Sequence, residues 1–351
     1  MKILAVSLIA LCAVFSLSAV IRTVDQNSPS VGQYNNWTAA YTASADGDTI
    51  YLYPTTTTYG DFYLQKRLTV IGGGLNPANP SLPTSKITLH TYYASAIGCK
   101  LIGLDFPNPV YCYYQTAFNN CRFNAAGNYI IRSNSAFTDC IFKNYIQIGD
   151  GSNETGNIVI SGCTFDFDGS YQSIIYGYTT ISYNNCLFIG NNNHFYPGGT
   201  PSTVNVLNCV FVNRGTGAHN LFYYTSNTNG YAFTNCIFES MSNFQANATF
   251  QYCILEQSFT YVDPTNMQNV NMATVMVDVN GGNYHLVPEP PDNPAVGAGL
   301  GGVDIGLYGG PSPFDDLWYL TFLPSITDFD CPPIVNASGQ LNVHVEAQCG
   351  N

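Results

Sequence analysis

Asp166 and Asp168 alternate with Phe165 and Phe167, and no other acidic spacing in the chain is as suggestive of chemistry. Alternate side chains of an extended strand share a face, so these two carboxyls point the same way. Paired carboxylates can hold a divalent cation such as Ca2+ through oxygen ligands, or divide acid and base duties between them. Phe165 belongs inside, which turns the aspartates outward; a solvated edge running into the turn at Gly169 explains the same pattern more simply. Asp150 and Glu154 flank Gly151 in an expected loop and read as solvated. Basic partners are scarce: between Cys99 and Cys253 they are Lys100, Arg122, Arg132, Lys143 and Arg214. Lys100 and Arg122 each follow a cysteine and should stand outward as lone charges. Arg132 and Arg214 fall in loops with no expected carboxylate partner. His194, in the run Asn191–Phe195, and His219, beside Asn220, read as loop histidines, while His90, His285 and His344 are dispersed. No metal-ligand spacing emerges, and no metal site is expected.

Tyrosine offers the other chemistry. Tyr113 and Tyr114, Tyr176 and Tyr178, and Tyr223 and Tyr224 come in pairs, with Tyr111, Tyr171 and Phe222 close by. An aromatic ring couples apolar area to a hydrogen-bonding tip, which suits sugar rings or another protein. Packing between neighbouring turns of the chain is the competing use of the same rings.

What must position these residues is a repeat. Cys99, Cys121, Cys140, Cys163, Cys186, Cys209, Cys236 and Cys253 recur at spacings of 22, 19, 23, 23, 23, 27 and 17 residues. Six of them carry phenylalanine two places on, from Phe123 to Phe238, with Leu101 and Leu255 in that slot at the ends. A steady period of this size signals stacked supersecondary units. Before most of these cysteines sits Asn120, Asp139, Gly162, Asn185, Asn208 or Asn235, residue types that tolerate a left-handed corner. The residue three places before is apolar, and a corner lets it point inward together with the cysteine. Each turn reads as strand, corner, strand and a longer loop, so the chain should be an all-β parallel coil of about eleven or twelve rungs. Thiols piled in register make poor disulfide geometry, so the eight cysteines are expected to be free, buried small hydrophobes.

The ends differ. Met1 and Lys2 precede an apolar stretch from Ile3 to Phe15 and then small residues, the pattern of a secretory signal peptide over residues 1–19. Residues 20–48 should form an N-terminal cap with a short helix near Trp37, residues 49–310 the coil, and 311–351 a small irregular appendage. Cys331 and Cys349 bracket a short segment there and are a possible disulfide. No apolar run reaches the ~20 residues of a membrane span. The formal net charge is −12 with only 10 Lys and Arg, so there is no basic footprint for nucleic acid.

The segment Ala45-Asp46-Gly47-Asp48-Thr49-Ile50-Tyr51-Leu52, then Leu68–Gly72, and at the far end Asn293–Gly299 with Asp304–Gly309, resemble the pectin-lyase-like superfamily of right-handed parallel β-helix proteins. That resemblance implies a helix over one end of the coil and a closing rung at the other. Its lyases need a basic residue to take a proton beside a carboxylate, with Ca2+ or a cation to neutralise the substrate; its hydrolases need paired carboxylates. No catalytic motif of the family is matched, and no catalytic residue is carried over. The sequence therefore favours a secreted, non-enzymatic protein for adhesion, glycan contact or self-association. The alternative is a polysaccharide lyase or glycoside hydrolase, for which Asp166, Asp168 and a basic side chain should converge in one groove. No cofactor is expected, Ca2+ entering only with the lyase reading.

Overall fold

The computed structural model describes residues 19–316, except 77–80, 92–93, 126, 131–133, 150–155, 170, 178, 199–202, 216–218, 224–227, 261–262 and 289–291, together with 325–330 and 344–348. The chain winds as a parallel β-helix. One sheet stacks eleven strands, from Ile21–Val24 to Thr249–Gln251, each hydrogen-bonded in parallel to the next. A second, fifteen-stranded sheet folds round through Ser85–Thr91, whose start pairs with Leu104–Phe106 and whose end pairs with Tyr111–Cys112. It thus has two limbs. The cysteine limb continues through Arg122–Phe123, Ile141–Phe142, Thr164–Asp166, Leu187–Gly190, Val210–Asn213, Ile237–Phe238 and Ile254–Leu255. The tyrosine limb continues through Asn128–Ile130, Ile146–Ile148, Tyr171–Ile175 and Asn193–Pro197.

The corner between the first sheet and the cysteine limb follows from residue type. Asn120, Asp139, Asn185, Asn208, Asn235 and Tyr252 all adopt φ between 49° and 54°, and Gly162 has φ 62°. Asn and Asp reach this left-handed region at lower cost than branched residues, because their short polar side chains bond locally. The corner lets Phe118, Phe137, Ile160, Tyr183, Val206, Phe233 and Phe250 face inward beside the cysteines, and all are buried. Phe123, Phe142, Phe165, Phe188, Phe211 and Phe238 stack in sequence with centroids 4.6–4.9 Å apart and planes within 11°. That spacing matches the distance between neighbouring strands, so each ring lies flat on the one below.

Seven of the cysteines, Cys121 to Cys253, occupy one column, with Ile141 N bonding Cys121 O and equivalent bonds linking each later rung. Cys99 does not belong to it. Cys99 pairs in register with Thr116 in the first sheet, and the slot below Cys121 holds Leu104, with Gly103 at the corner and Phe106 as the ring. A leucine in a cysteine slot disguised the true start of the column. The nine described cysteines are buried and unbridged. Burial pushes the Cys121, Cys163, Cys209 and Cys253 thiols well up, keeping them protonated. Cys331 and Cys349 lie outside the described residues.

Helix Trp37–Ala43 covers the first turns. Asn36 caps it by accepting from Ala39 N at 2.9 Å, and Trp37 stacks on Phe62 at 3.6 Å and 9°. The far segment does not add a closing rung. Residues 292–310 lie along the flank of the coil as a strap over the cysteine limb. Met272, Val275, Met276, Ala295, Ile305 and Leu307 pack on the outward Leu187, Val210, Ile237 and Ile254, forming a second core outside the coil. The asparagine corners anchor the strap. Asn185 Nδ2 donates to Leu307 O and Gly309 O at 2.7 and 2.8 Å, and Asn208 Nδ2 to Gly309 O at 3.1 Å. Asn235 Oδ1 accepts from Leu300 N at 2.8 Å. Gly306 passes so close that a Cβ would fall 2.6 Å from Ile237 Cδ1. Among the described residues no helix is long and apolar enough to cross a membrane.

Candidate functional site

Counting three residues on from each column cysteine gives a line of outward side chains on the cysteine limb: Asn124, Lys143, Asp166, Ile189, Val212, Glu239 and Glu256. Asp166 and Asp168 do share the outer face, and the structure brings cations to them. Lys143 Nζ lies 2.5 Å from Asp166 Oδ2, and the Arg214 guanidinium bonds Asp166 Oδ1 and, at 3.2 Å, Asp168 Oδ2. Arg214 thus has the carboxylate partners that its loop position did not announce. Burial alone would raise the Asp166 carboxyl, but hydrogen bonds from Lys143 and Arg214 outweigh it and hold the group below its ordinary value. The same partners hold Arg214 above its own, against the effect of burial.

Arg214 also lines a cleft of about 360 Å3, walled by Ile189, Val212 and Glu239 on the coil and by Asn280 and Tyr284 opposite. Those last two come from an antiparallel hairpin, Met276–Asp278 with Asn283–Leu286, that leans over the cysteine limb. A second cleft of about 260 Å3 continues past Glu239 to Glu256, Met272 and Asp278. Glu239 is the carboxylate common to both. Its Oε2 accepts from Asn213 N at 2.7 Å, and Glu256 Oε2 accepts from Ser240 N at 2.8 Å. Burial and, after the opposing Asn213 bond, the charge of Glu256 raise the Glu239 carboxyl above its ordinary value. Burial likewise raises the Tyr284 phenol.

Glu239 and Glu256 stand in register on adjacent rungs, with Glu256 N bonded to Phe238 O. Neighbouring rungs lie about 4.8 Å apart, close to the ~5–5.5 Å between the two carboxyls of retaining glycosidases. A carboxyl whose proton affinity is raised, standing beside a second carboxyl, is suited to act as a proton donor. Sequence reading passed over this pair because Glu239 and Glu256 are 17 residues apart, and only the cysteine count aligns them.

The other expected residues fall elsewhere. Arg122 is no lone charge: it forks onto Asp105 at 2.6 and 3.2 Å, and Asp105 is 1% exposed. His194 is not in a loop. It lies in the strand Asn193–Pro197, fully buried, with Nδ1 2.6 Å from Gln172 Oε1 and its ring edge-on to Phe211. Burial, helped by His219, lowers its pKa to about 3, so it stays neutral. His219 sits in a short strand, His219–Asn220, on the tyrosine limb's side of Arg214. Tyr176 and Tyr223 join a ring cluster described below. Tyr113 and Tyr114 stand three rungs away from Tyr176, and Tyr178 and Tyr224 lie outside the described residues. Among the described residues no three His, Cys, Asp or Glu side chains group as a metal site.

No family profile matches this sequence, and no curated protein matches it. Two solved structures do. A rhamnogalacturonan lyase is 12% identical, covering 78% of this chain and 95% of its own, with a TM-score of 0.38. Pectate lyase Pel9A is 13% identical, covering 83% and 96%, with a TM-score of 0.41. Likeness of that degree does not carry their substrates to this chain.

Proposed function

We propose that this is a secreted β-helix protein that binds an extracellular polysaccharide along the cysteine limb and cleaves it by glycoside hydrolysis. The observation that carries the reading is Glu239, a half-buried carboxyl with raised proton affinity, one rung from Glu256 in a shared cleft. Glu239 protonates the departing glycosidic oxygen as the Glu256 carboxylate bonds to the anomeric carbon, and a water deprotonated by Glu239 then displaces the sugar from Glu256. Tyr284 and Arg214 line the adjoining cleft, which shares Glu239, and supply hydrogen bonds to sugar hydroxyls. Elimination chemistry is less well served. The cations that would neutralise a uronate carboxylate, Lys143 and Arg214, are already engaged by Asp166 and Asp168, and Glu239 and Glu256 add negative charge beside them.

A non-catalytic glycan-binding role is favoured by one fact: both glutamates are tethered to backbone N–H groups, which is a structural use for a carboxylate. Incubation of the purified protein with a panel of plant and microbial polysaccharides separates the two. Hydrolysis releases reducing ends, and Glu239→Gln lowers the rate by roughly a hundredfold or more. A wild-type rate in that variant, or binding without any new ends, overturns the catalytic reading. Unsaturated ends absorbing in the ultraviolet would reassign the chemistry to elimination.

A further inference from the structure

Five tyrosine rings from four successive turns meet on the outer face of the tyrosine limb. Tyr145 precedes the strand Ile146–Ile148, Tyr171 and Tyr176 flank the next, Tyr196 lies in Asn193–Pro197, and Tyr223 follows Phe222, which bridges to Phe195. Tyr171 is the hub: its centroid lies 5.9 Å from Tyr145, 5.3 Å from Tyr196 and 5.7 Å from Tyr223. Tyr196 lies 6.0 Å from Tyr176 and is stacked on Tyr223 at 5.6 Å and 28°. Ile174, in register with Tyr196, is covered to 6% exposure. Tyr223 is 40% exposed, and the other four rings are half-buried. None of these six side chains is charged.

We infer that this tyrosine surface is a binding site for an uncharged, extended glycan chain running parallel to the coil axis. Rungs are about 4.8 Å apart, so four of them set out aromatic faces over about 14 Å. A pyranose offers what such a surface accepts, a C–H face for the ring and hydroxyls for the phenol tips. Other occupants fit less well. Single-stranded nucleic acid also stacks on aromatics, but it needs a basic groove for its phosphates, and the chain carries a net charge of −12. A protein partner needs about 800 Å2 per side. Five tyrosines of roughly 150–250 Å2 each, four of them largely covered, expose a few hundred at most. The site is separate from the carboxylate cleft and shares with the proposed function only the class of ligand.

Affinity electrophoresis through gels containing mixed-linkage β-glucan, galactan or xylan, with polygalacturonate as the charged comparison, tests it. At least one neutral glycan should retard the native protein. Tyr196→Ala should weaken that retention roughly tenfold or more, while Tyr196→Phe, which keeps the ring face, retains most of it. Retention is read from the tyrosine variants alone, so a wild-type hydrolysis rate in Glu239→Gln leaves this inference standing. Thermal unfolding checks that each variant folds, and Tyr223→Ala at the exposed edge replaces Tyr196→Ala if it does not. Retention by polygalacturonate alone, by none of the neutral glycans, or equally by the folded alanine variant overturns the inference.

Discussion

The cysteine limb carries two arginine–aspartate pairings on its outer face, and they differ in kind. In the first turns Asp105 is 1% exposed and fully engaged: Arg122 grips it twice, Thr84 Oγ1 donates at 2.8 Å and Asn124 Nδ2 at 2.5 Å. Three turns on from Lys143, Arg214 reaches back to Asp166 and Asp168 with side chains that are 42%, 20% and 42% exposed. The residue types are the same, yet one pair is structure and the other borders a cleft. What differs is cover. A desolvated carboxylate must have every oxygen satisfied, whereas a half-exposed one can exchange partners with water or ligand.

The contrast has measurable consequences. Arg122→Ala leaves Asp105 buried and short of its cation, and should lower stability by about 3–5 kcal/mol in urea unfolding. A loss under 1 kcal/mol would put this pair in the same class as the exposed one. The next largest effect concerns a carboxylate with no cation beside it among the described residues. Asp139, in the corner column, is raised to about 7, chiefly by burial and then by Cys140 and Asp315. Its raised pKa favours the fold in acid, and that contribution is lost as pH climbs from about 4 to about 7. His194 works in the opposite sense. Its pKa falls from 6.5 to about 3 on folding, so its stabilisation is present above pH 6.5 and lost between there and pH 3. Asp139→Asn should therefore stabilise the protein by of order 2 kcal/mol at pH 8 and leave it unchanged at pH 3. It should also expose a stability that rises steadily across the acid range. A flat difference between the two proteins from pH 3 to 8 would show that Asp139 does not titrate there. Smallest of all, Arg214→Ala should change unfolding by about 0–1 kcal/mol, the range of exposed pairs. A larger loss would mean the cluster supports the hairpin over the cleft.

The interior was legible from one turn to the next because it repeats: Phe165, Phe188 and Phe211 recur at 23 residues and lie on each other. The same regularity misled at its edge, where Cys99 kept the spacing but sat five residues early, with Leu104 in the real slot. The outer surface was less legible because its partners come from distant turns. Arg214 meets Asp166 across 48 residues, and Leu307 meets Asn185 across 122. Outward-facing Leu187, Val210, Ile237 and Ile254 could have announced the strap, since four apolar residues in one external column call for a cover. His194 failed for a different reason: its asparagine-rich surroundings resemble a loop, while burial is decided by Phe188 and Phe211 on either side. Tyr145 and Tyr196 were missed because loops of unequal length hide which tyrosines share a face.

The strap also limits how this molecule can grow. A stacked coil ordinarily gains length by duplicating a turn anywhere, each newcomer finding an equivalent seat. Between Asn185 and Asn235 that freedom is gone, because the carbonyls of Leu307 and Gly309 and the amide of Leu300 reach three corners at fixed separations. A duplicated 23-residue turn placed there would pull those grips out of step, whereas one placed between Cys121 and Cys140 would only make the rod longer.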